Sequence, residues 1–327
     1  MADLTTGYMG LTLKNPVIIG SCGLTHSVKE IKKLESHGAA AVVLKSIFEE
    51  QISMDSDALS SDFHTHSEEA DYLRNYTKQH TLDKYLELIK EVKKEVGIPV
   101  IASINCASAA QWVSFGKAVQ DAGADGLELN IFIMPAGIKE KGGNIEKIYF
   151  DIINEVKKHI SIPLAVKMGF YFSGLANTIF ELSLRGIAGI VLFNRFYRPD
   201  IDLKSEKLTT ADIFSTPDEI YLPLRWVGMM SSEVKCDLTA STGIHDGFGV
   251  VKCLLAGAKA VQVASIIYQK GAEHIGVMLN QVQEWMKEHN YSSIKDFNGK
   301  LAQENIKNPQ LYERAQFMKY YANASST

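Results

Sequence analysis

The sequence predicts an α/β protein, a (β/α)8 TIM barrel with extended loops after its second and sixth strands. Three observations predict it. Short β-rich apolar runs alternate with helix-period runs along the 327-residue chain. The β-runs are almost continuously apolar, the pattern of a parallel sheet covered on both faces. Eight such runs stand out, nearly all followed by a helix, which favours a closed barrel over an open doubly wound sheet. No GxGxxG turn follows a strand, which lowers the open-sheet alternative further.

Each element can be justified in order. "PVIIGSCG" (16–23) is the first strand and "HSVKEIKKLESHG" an amphipathic helix. "AAVVLKS" (40–46) is the second strand, and a polar stretch from Ile47 to about His80 then breaks the rhythm. "TLDKYLELIKEVKKEVG" follows as a helix with Thr81 as cap and Gly97 as stop. The strands "IPVIASIN" (98–105), "ADGLELNI" (124–131), "IPLAVKMG" (162–169) and "AGIVLFNR" (188–195) come next, the first three trailed by helical runs. A second long polar stretch runs to about Tyr221. "VKCDLTASTG" (234–243) and "AVQVASI" (260–266) complete the set, each with its helix. There is no low-complexity linker, so residues 1–327 read as a single domain. In a barrel the two long polar stretches lie over the C-terminal mouth.

Composition excludes several classes. Hydrophobic residues make up 46% of the chain, ample for a large core, and the net charge of −4 with a pI near 6.2 gives no footprint for nucleic acid. Cys22, Cys106, Cys236 and Cys253 are scattered without CxxC or zinc spacing, as in a protein of a reducing compartment. The opening "MADLTTGYMGLTLKNP" lacks the marks of a signal peptide, and no apolar run approaches the ~20 residues of a membrane span. A cytoplasmic protein with no membrane association and no bound metal is expected.

In a barrel, polar residues at the C-terminal ends of strands face the active site. Here those ends are Ser21-Cys22-Gly23, Lys45-Ser46, Asn105-Cys106, Asn130, Lys167, Asn194-Arg195, Ser241-Thr242-Gly243 and Ala264-Ser265. The two lysines inside "VVLKS" and "LAVKM" are the sharpest signal, because a buried ammonium is costly unless it meets an acceptor or an anion. Their ordinary alternative is a structural salt bridge or a snorkelling stem. The asparagines add uncharged donors and acceptors, although singly each is a common turn residue. The small-residue turns "ASTGIHDG" and "ASIIYQKG" follow strands 7 and 8, where barrels commonly hold phosphate on backbone N–H groups. A phosphate there and a polar ring across the mouth describe a phosphorylated planar cofactor. Flavin mononucleotide (FMN) ranks ahead of pyridoxal phosphate, which needs one imine-forming lysine rather than two lysines and several asparagines.

The chain resembles the dihydroorotate dehydrogenase family, especially its cytosolic class 1 members. The resemblance runs nearly end to end, through "GLTLKNPVIIGSCG", "GAAAVVLKS", "ADGLELNI", "PLAVKMG", "IHDGFGVVKCLLAGAKAVQVASIIYQKG" and "SIKDFNGKL". It implies a barrel with FMN at its mouth, oxidation of dihydroorotate to orotate in pyrimidine biosynthesis, and hydride passing to flavin N5. It further implies a homodimer and, for some members, a separate electron-transfer partner. By position, Ser21 and Cys22 look like backbone contacts to the flavin ring, and Lys45 and Ser46 like the lysine–serine pair at flavin and substrate. Asn105 and Asn130 match flavin-facing asparagines, and Lys167 matches the lysine near flavin N1. Asn194 matches an asparagine touching substrate and flavin. Gly243, Ala264 and Ser265, with Ser241 beside them, match the phosphate cradle. Lys45, Asn130 and Asn194 are thus the catalytic set.

Two departures from the family pattern stand out. Members usually carry "NLSCPN" or a serine variant after strand 4, where the cysteine or serine takes a proton from C5 of the substrate. Here the text is "NIFIMPAG". Counting from Asn130 puts Ile133 at the base position, and aligning on Pro135 puts Met134 there; neither accepts a proton. The "NSMGLPN" substrate segment is also absent between Ile47 and His80, with Asn75 in "LRNYTK" as its remnant. Asn75, Asn130 and Asn194 are therefore the substrate-binding set. Cys22, Cys106, His64, His66, Tyr171 and Tyr197 are substitutes for the base, each with a plainer reading as a buried thiol or loop residue. His64 and His66 lack a third metal ligand nearby. Arg195 and Arg198 either meet a substrate carboxylate or are solvated loop residues. Three functions follow: a dihydropyrimidine oxidoreductase, an FMN enzyme for a more apolar unsaturated substrate, or a non-catalytic flavin-binding protein. The retained Lys167 speaks against the last.

Overall fold

The computed structural model describes residues 2–48, 67–106, 109–196 and 198–314, with backbone alone at 48, 67–79 and 109–110. A short antiparallel hairpin, β1 (Thr6–Tyr8) and β2 (Leu11–Leu13), precedes the barrel. The barrel strands are β3 (Val17–Ile19), β4 (Ala41–Val43), β6 (Val100–Asn105), β7 (Gly126–Asn130), β8 (Leu164–Met168), β9 (Gly189–Leu192), β12 (Asp237–Ser241) and β13 (Ala260–Val263). All pair in parallel in the order β4-β3-β13-β12-β9-β8-β7-β6, and a β4–β6 pairing closes the ring. The short β5 (Ile47–Phe48) also pairs with β6, so β4 and β5 are one stave interrupted at Leu44–Ser46. The expected barrel is what forms.

Around the ring lie α1 (Val28–Ser36), α2 (Ser67–Glu95), α3 (Ala109–Asp121), α4 (Gly142–Lys157), α5 (Leu175–Ser183), α6 (Tyr221–Met230), α7 (Gly247–Ala256), α8 (Ser265–Lys270) and α9 (His274–Glu288), with a last turn of helix, α10, at Gln310–Glu313. Their apolar stripes pack on the outer face of the strands. Leu82, Tyr85, Ile89 and Val92 of α2 recur at helical spacing and are all buried. Helix caps follow the chain chemistry. The Ser27 hydroxyl accepts from the Glu30 amide at the start of α1, and Asp246 accepts from Gly249 at the start of α7.

Two loop expectations need correction. Thr81 is not a cap: α2 already begins at Ser67, so Thr81 lies inside it. No proline or glycine interrupts residues 67–95, and acidic residues follow Ser67 at once, so the helix starts at the earlier signal. The polar stretch after strand 6 is not loop throughout. It folds into an antiparallel hairpin of β10 (Pro199–Asp202) and β11 (Lys207–Thr210), its turn held by Asp202 accepting from the Lys204 amide at 2.8 Å.

The bottom of the barrel is plugged by the first hairpin. Tyr8 and Met9 are buried there against Ile18, Ala41, Val43, Ile101, Ala165 and Ala260. The Met9 amide donates to Asp237 Oδ2 at 2.8 Å, which ties the plug to the start of β12. Small residues at the strand starts leave room for it. A Cβ on Gly189 would stand 2.9 Å from Tyr8 Cε2 and 3.2 Å from Met9 Cγ. Gly189→Ala should therefore destabilise the fold by about 1–3 kcal/mol through overpacking. Urea unfolding reads this directly, and an unchanged midpoint would show that the plug does not seat tightly.

Candidate active site

Strand alternation builds the site. Residues two apart on a strand share a face, so those at the strand ends and those two positions earlier point into the barrel together. Lys167 on β8 stands in register with Asn130 on β7. Asn194, just past β9, donates from Nδ2 to Asn130 Oδ1 at 2.6 Å. On the opposite side the Ser21 hydroxyl meets the Ser46 hydroxyl at 2.9 Å and also accepts from the Ser46 amide. Ser46 meets Ser103 at 2.7 Å, so three hydroxyls form a line descending from the rim.

A cavity of about 270 Å³ opens at this mouth, lined by Ser21, Lys167, Asn194, Ser241, Gly243, Ala264 and Ser265 among others. The structure thus gathers the strand-1, -5, -6, -7 and -8 residues expected for the cofactor. Asn130 reaches the group through Asn194, and Ser46 through Ser21. Asn105 closes β6 half-buried and outside that lining. Cys22 lies next to Ser21, and burial pushes its thiol up, away from the thiolate.

Lys45 departs from expectation. Its side chain is exposed, because it falls in the break between β4 and β5 rather than inside a strand. It is not a buried ammonium and does not line the cavity. The side chain of Asn75 and all of His64, His66 and Tyr197 lie outside the described residues.

The cavity wall on the strand-7 side is tightly built. Thr242 has φ +84°, a value that costs a β-branched residue of order 1–3 kcal/mol. Gly243 follows at φ +77°, and a Cβ there would fall 2.1 Å from the Ile220 amide nitrogen. Both the conformation and the close approach require glycine. Beside it the first turn of α8 begins at Ser265, where helix N–H groups lack intrahelical partners. The Ser265 hydroxyl accepts from the Ser215 amide at 3.0 Å, which brings the 212–215 segment over the cavity.

Arg195 and Arg198 are structural. Arg195 donates to Glu219 at 3.0 Å and to the carbonyls of Asp212, Ile213 and Phe214. Arg198 meets the same carboxylate at 2.7 Å. Glu219 also closes a capping box by accepting from the Thr216 amide. Burial opposes its ionisation, but these donors outweigh it and hold the Glu219 carboxyl below the usual range.

The segment after Asn130 is a wall. Ile131 is buried and its carbonyl accepts from the Tyr149 hydroxyl at 3.0 Å. Phe132 packs on Phe196 with centroids 4.3 Å apart, and Phe170 and Tyr171 stand 5.2 and 4.4 Å from the same ring. Ile133 is half-buried against the core and Met134 is half-exposed, and neither carries a basic atom. A second cavity of about 520 Å³ lies under this aromatic group and shares Asn194, Arg195, Ser241 and Thr242 with the first.

The sequence reading missed Glu128, Gln262, Ser103 and Thr239. All four are buried polar residues in barrel strands, each two positions before a rim residue. That spacing was the available signal.

Fold and site together define a barrel enzyme that holds a planar, phosphorylated cofactor at its C-terminal mouth. The donor set fits FMN: the main cavity offers an ammonium, amides, hydroxyls and backbone N–H groups, and no carboxylate lines it among the described residues. The dihydroorotate dehydrogenase family model matches residues 3–286, and the chain belongs to that family. It is a family of FMN-binding oxidoreductases acting on CH–CH groups. Among curated relatives, the catalytic subunit of dihydroorotate dehydrogenase B (NAD(+)) from Thermoplasma acidophilum is 28% identical, covering 91% of this chain and 99% of the relative. The corresponding subunit of Methanocaldococcus jannaschii is 24% identical over 88% and 94%. The chloroplastic dihydropyrimidine dehydrogenase (NADP(+)) of Arabidopsis thaliana is 24% identical over 91% of this chain and 76% of its own length. No helix among the described residues is long and apolar enough to cross a membrane.

A depressed carboxyl contributes stability that is complete above its ordinary pKa of ~4.3 and is lost as pH falls through the lower folded value. Glu219→Gln should therefore lower stability by about 1–3 kcal/mol at neutral pH. Its gap from the parent should narrow once the pH drops below the folded pKa of Glu219. Urea melts across pH 2–7 check this, and a pH-independent gap would rule it out.

Proposed function

We propose that this chain is an FMN-dependent oxidoreductase moving hydride between flavin and a C–C bond of a dihydropyrimidine-like substrate, dihydroorotate in the first instance. One observation carries the reading: Lys167 presents an ammonium to a carboxylate-free polar cavity at the barrel mouth. FMN, when bound, supplies the two-electron chemistry. Ser21, Asn194, Gly243, Ala264 and Ser265 would hold it, with Lys167 supplying the charge that favours a reduced, anionic ring. The Asn130–Asn194 pair would orient a planar substrate through its amides. We further propose a homodimer working with a separate electron-transfer chain; the relatives named as catalytic subunits support the second part, a further subunit.

A second reading has its own observation. The family's base position carries Ile133 or Met134, beside an aromatic group of Phe132, Phe170, Tyr171 and Phe196. Arg195 and Arg198 are already committed to Glu219. A more apolar unsaturated substrate fits that wall better than a charged one does. Without a base, C–H oxidation loses ~10²–10⁴-fold in rate.

Anaerobic addition of millimolar dihydroorotate to the yellow protein should bleach the flavin absorbance, slowly for want of a base. No bleaching, together with reoxidation of the reduced protein by enones or unsaturated acids, would transfer the assignment to the second reading. Silence towards both would sink the oxidoreductase proposal.

A further inference from the structure

Beneath the cavity a polar line enters the barrel that cofactor binding alone does not explain. Lys167 Nζ donates to Gln262 Oε1 at 3.0 Å, and Gln262 Nε2 donates to Glu128 Oε2 at 2.6 Å. Gln262 is 2% exposed and Glu128 1%, in the middle of apolar strands. A barrel interior is ordinarily filled by branched aliphatic residues, so this polar pair costs stability that packing alone would not spend.

The geometry has a direction. A primary amide has an acceptor end and a donor end of nearly equal shape, so shape does not choose between its two orientations. The flipped Gln262 would set its NH2 against the Lys167 ammonium, donor against donor. Both ends select the same orientation: the ammonium can only donate and so takes the carbonyl, and Glu128 Oε2 accepts the NH2 and anchors the far end of the amide. The anchor needs Oε2 to accept, which it does in the carboxylate and also in a carboxyl protonated on Oε1. Its Oε1 has no hydrogen-bond partner among the described residues, so a proton there leaves Oε2 free to accept. Burial pushes the Glu128 carboxyl up, against the pull of Lys167 and Gln262.

We propose that Glu128, acting through Gln262, is a positioning residue for Lys167: it fixes the Gln262 amide so that its carbonyl holds the ammonium at the cavity. The proposal rests on the flavin reading above and concerns residues that do not touch the substrate.

The test is the affinity and midpoint potential of bound FMN in the intact chain. A cation beside a redox ring favours its reduced form, so a displaced ammonium lowers the potential. Gln262→Met keeps the volume and removes the amide. It should weaken FMN binding on the order of tenfold, the effect of losing one hydrogen bond to a charged group, and lower the potential. Glu128→Met and Glu128→Gln remove the same charge and differ in whether an acceptor remains. The potential should be lower in the methionine variant, and FMN affinity should recover in the glutamine one. Variants that lose only thermal stability, with parental affinity and potential, would overturn the proposal and leave the flavin reading standing. Should Glu128→Met fail to fold, Glu128→Leu, equally without an acceptor, takes its place against Glu128→Gln, and parental affinity and potential in it would overturn the proposal. A parent protein that binds no FMN would overturn the flavin reading, and this proposal with it.

Discussion

Closure of a parallel ring forces every strand to alternate between core and interior, and the site depends on that alternation. With β4 paired to β6 the ring is closed, and each inward side chain shares the lumen with those of its neighbours. The bottom of the lumen takes Tyr8 and Met9 from the hairpin, packed on alanines and branched residues. The top takes Lys167, Asn130 and Asn194. Between them lie Ser103, Glu128, Thr239 and Gln262, which are polar yet almost wholly buried. An apolar plug below and a polar layer above let the chain hold charge near the mouth without exposing the lumen to water.

The mouth is then shaped by loops that spend their polar groups on one another. Arg195 gathers three successive carbonyls and shares Glu219 with Arg198. Ser265 pins Ser215 to the start of α8. These contacts fold the 212–215 segment over the cavity and pair both arginines with Glu219. The same economy explains how a cavity framed by so many polar residues contains one uncommitted kind of charge, that of Lys167. Even that charge is half engaged, by Gln262.

Strand number, parallel order and rim residues were legible in the sequence because they rest on local periodicity. Lys167, Asn194, Gly243 and Ser265 could be placed by counting to the end of each apolar run. The errors arose where long-range contacts or a break in a strand overrode the local pattern. Lys45 reads as buried in "VVLKS", but β4 ends at Val43 and the stave resumes only at Ile47. Thr81 reads as a cap because the residues before it are polar, yet a polar run without proline or glycine can extend a helix. Arg195 and Arg198 stay open between carboxylate ligands and solvated loop residues, because their partner, Glu219, lies more than 20 residues away. Glu128 and Gln262 are 134 positions apart, and single polar residues in apolar strands carry no mark of being joined.

The apolar segment after Asn130 bears on which half of a redox reaction this site can assist. Removing hydride and removing a proton from adjacent carbons are separate tasks. The residues at the mouth serve the first, through a cation and oriented amides. For the second, the described cavity lining holds no carboxylate and no imidazole, and its Tyr268 hydroxyl is pushed up by burial. The hydroxyl line of Ser21, Ser46 and Ser103 can pass a proton but cannot retain one near neutral pH. Proton exchange at the substrate is then left to water at the open mouth, whichever way the hydride moves. The wall of Phe132, Ile133 and Met134 therefore leaves the proton to solvent in both directions, since the group that would remove it in oxidation is the group that would return it in reduction.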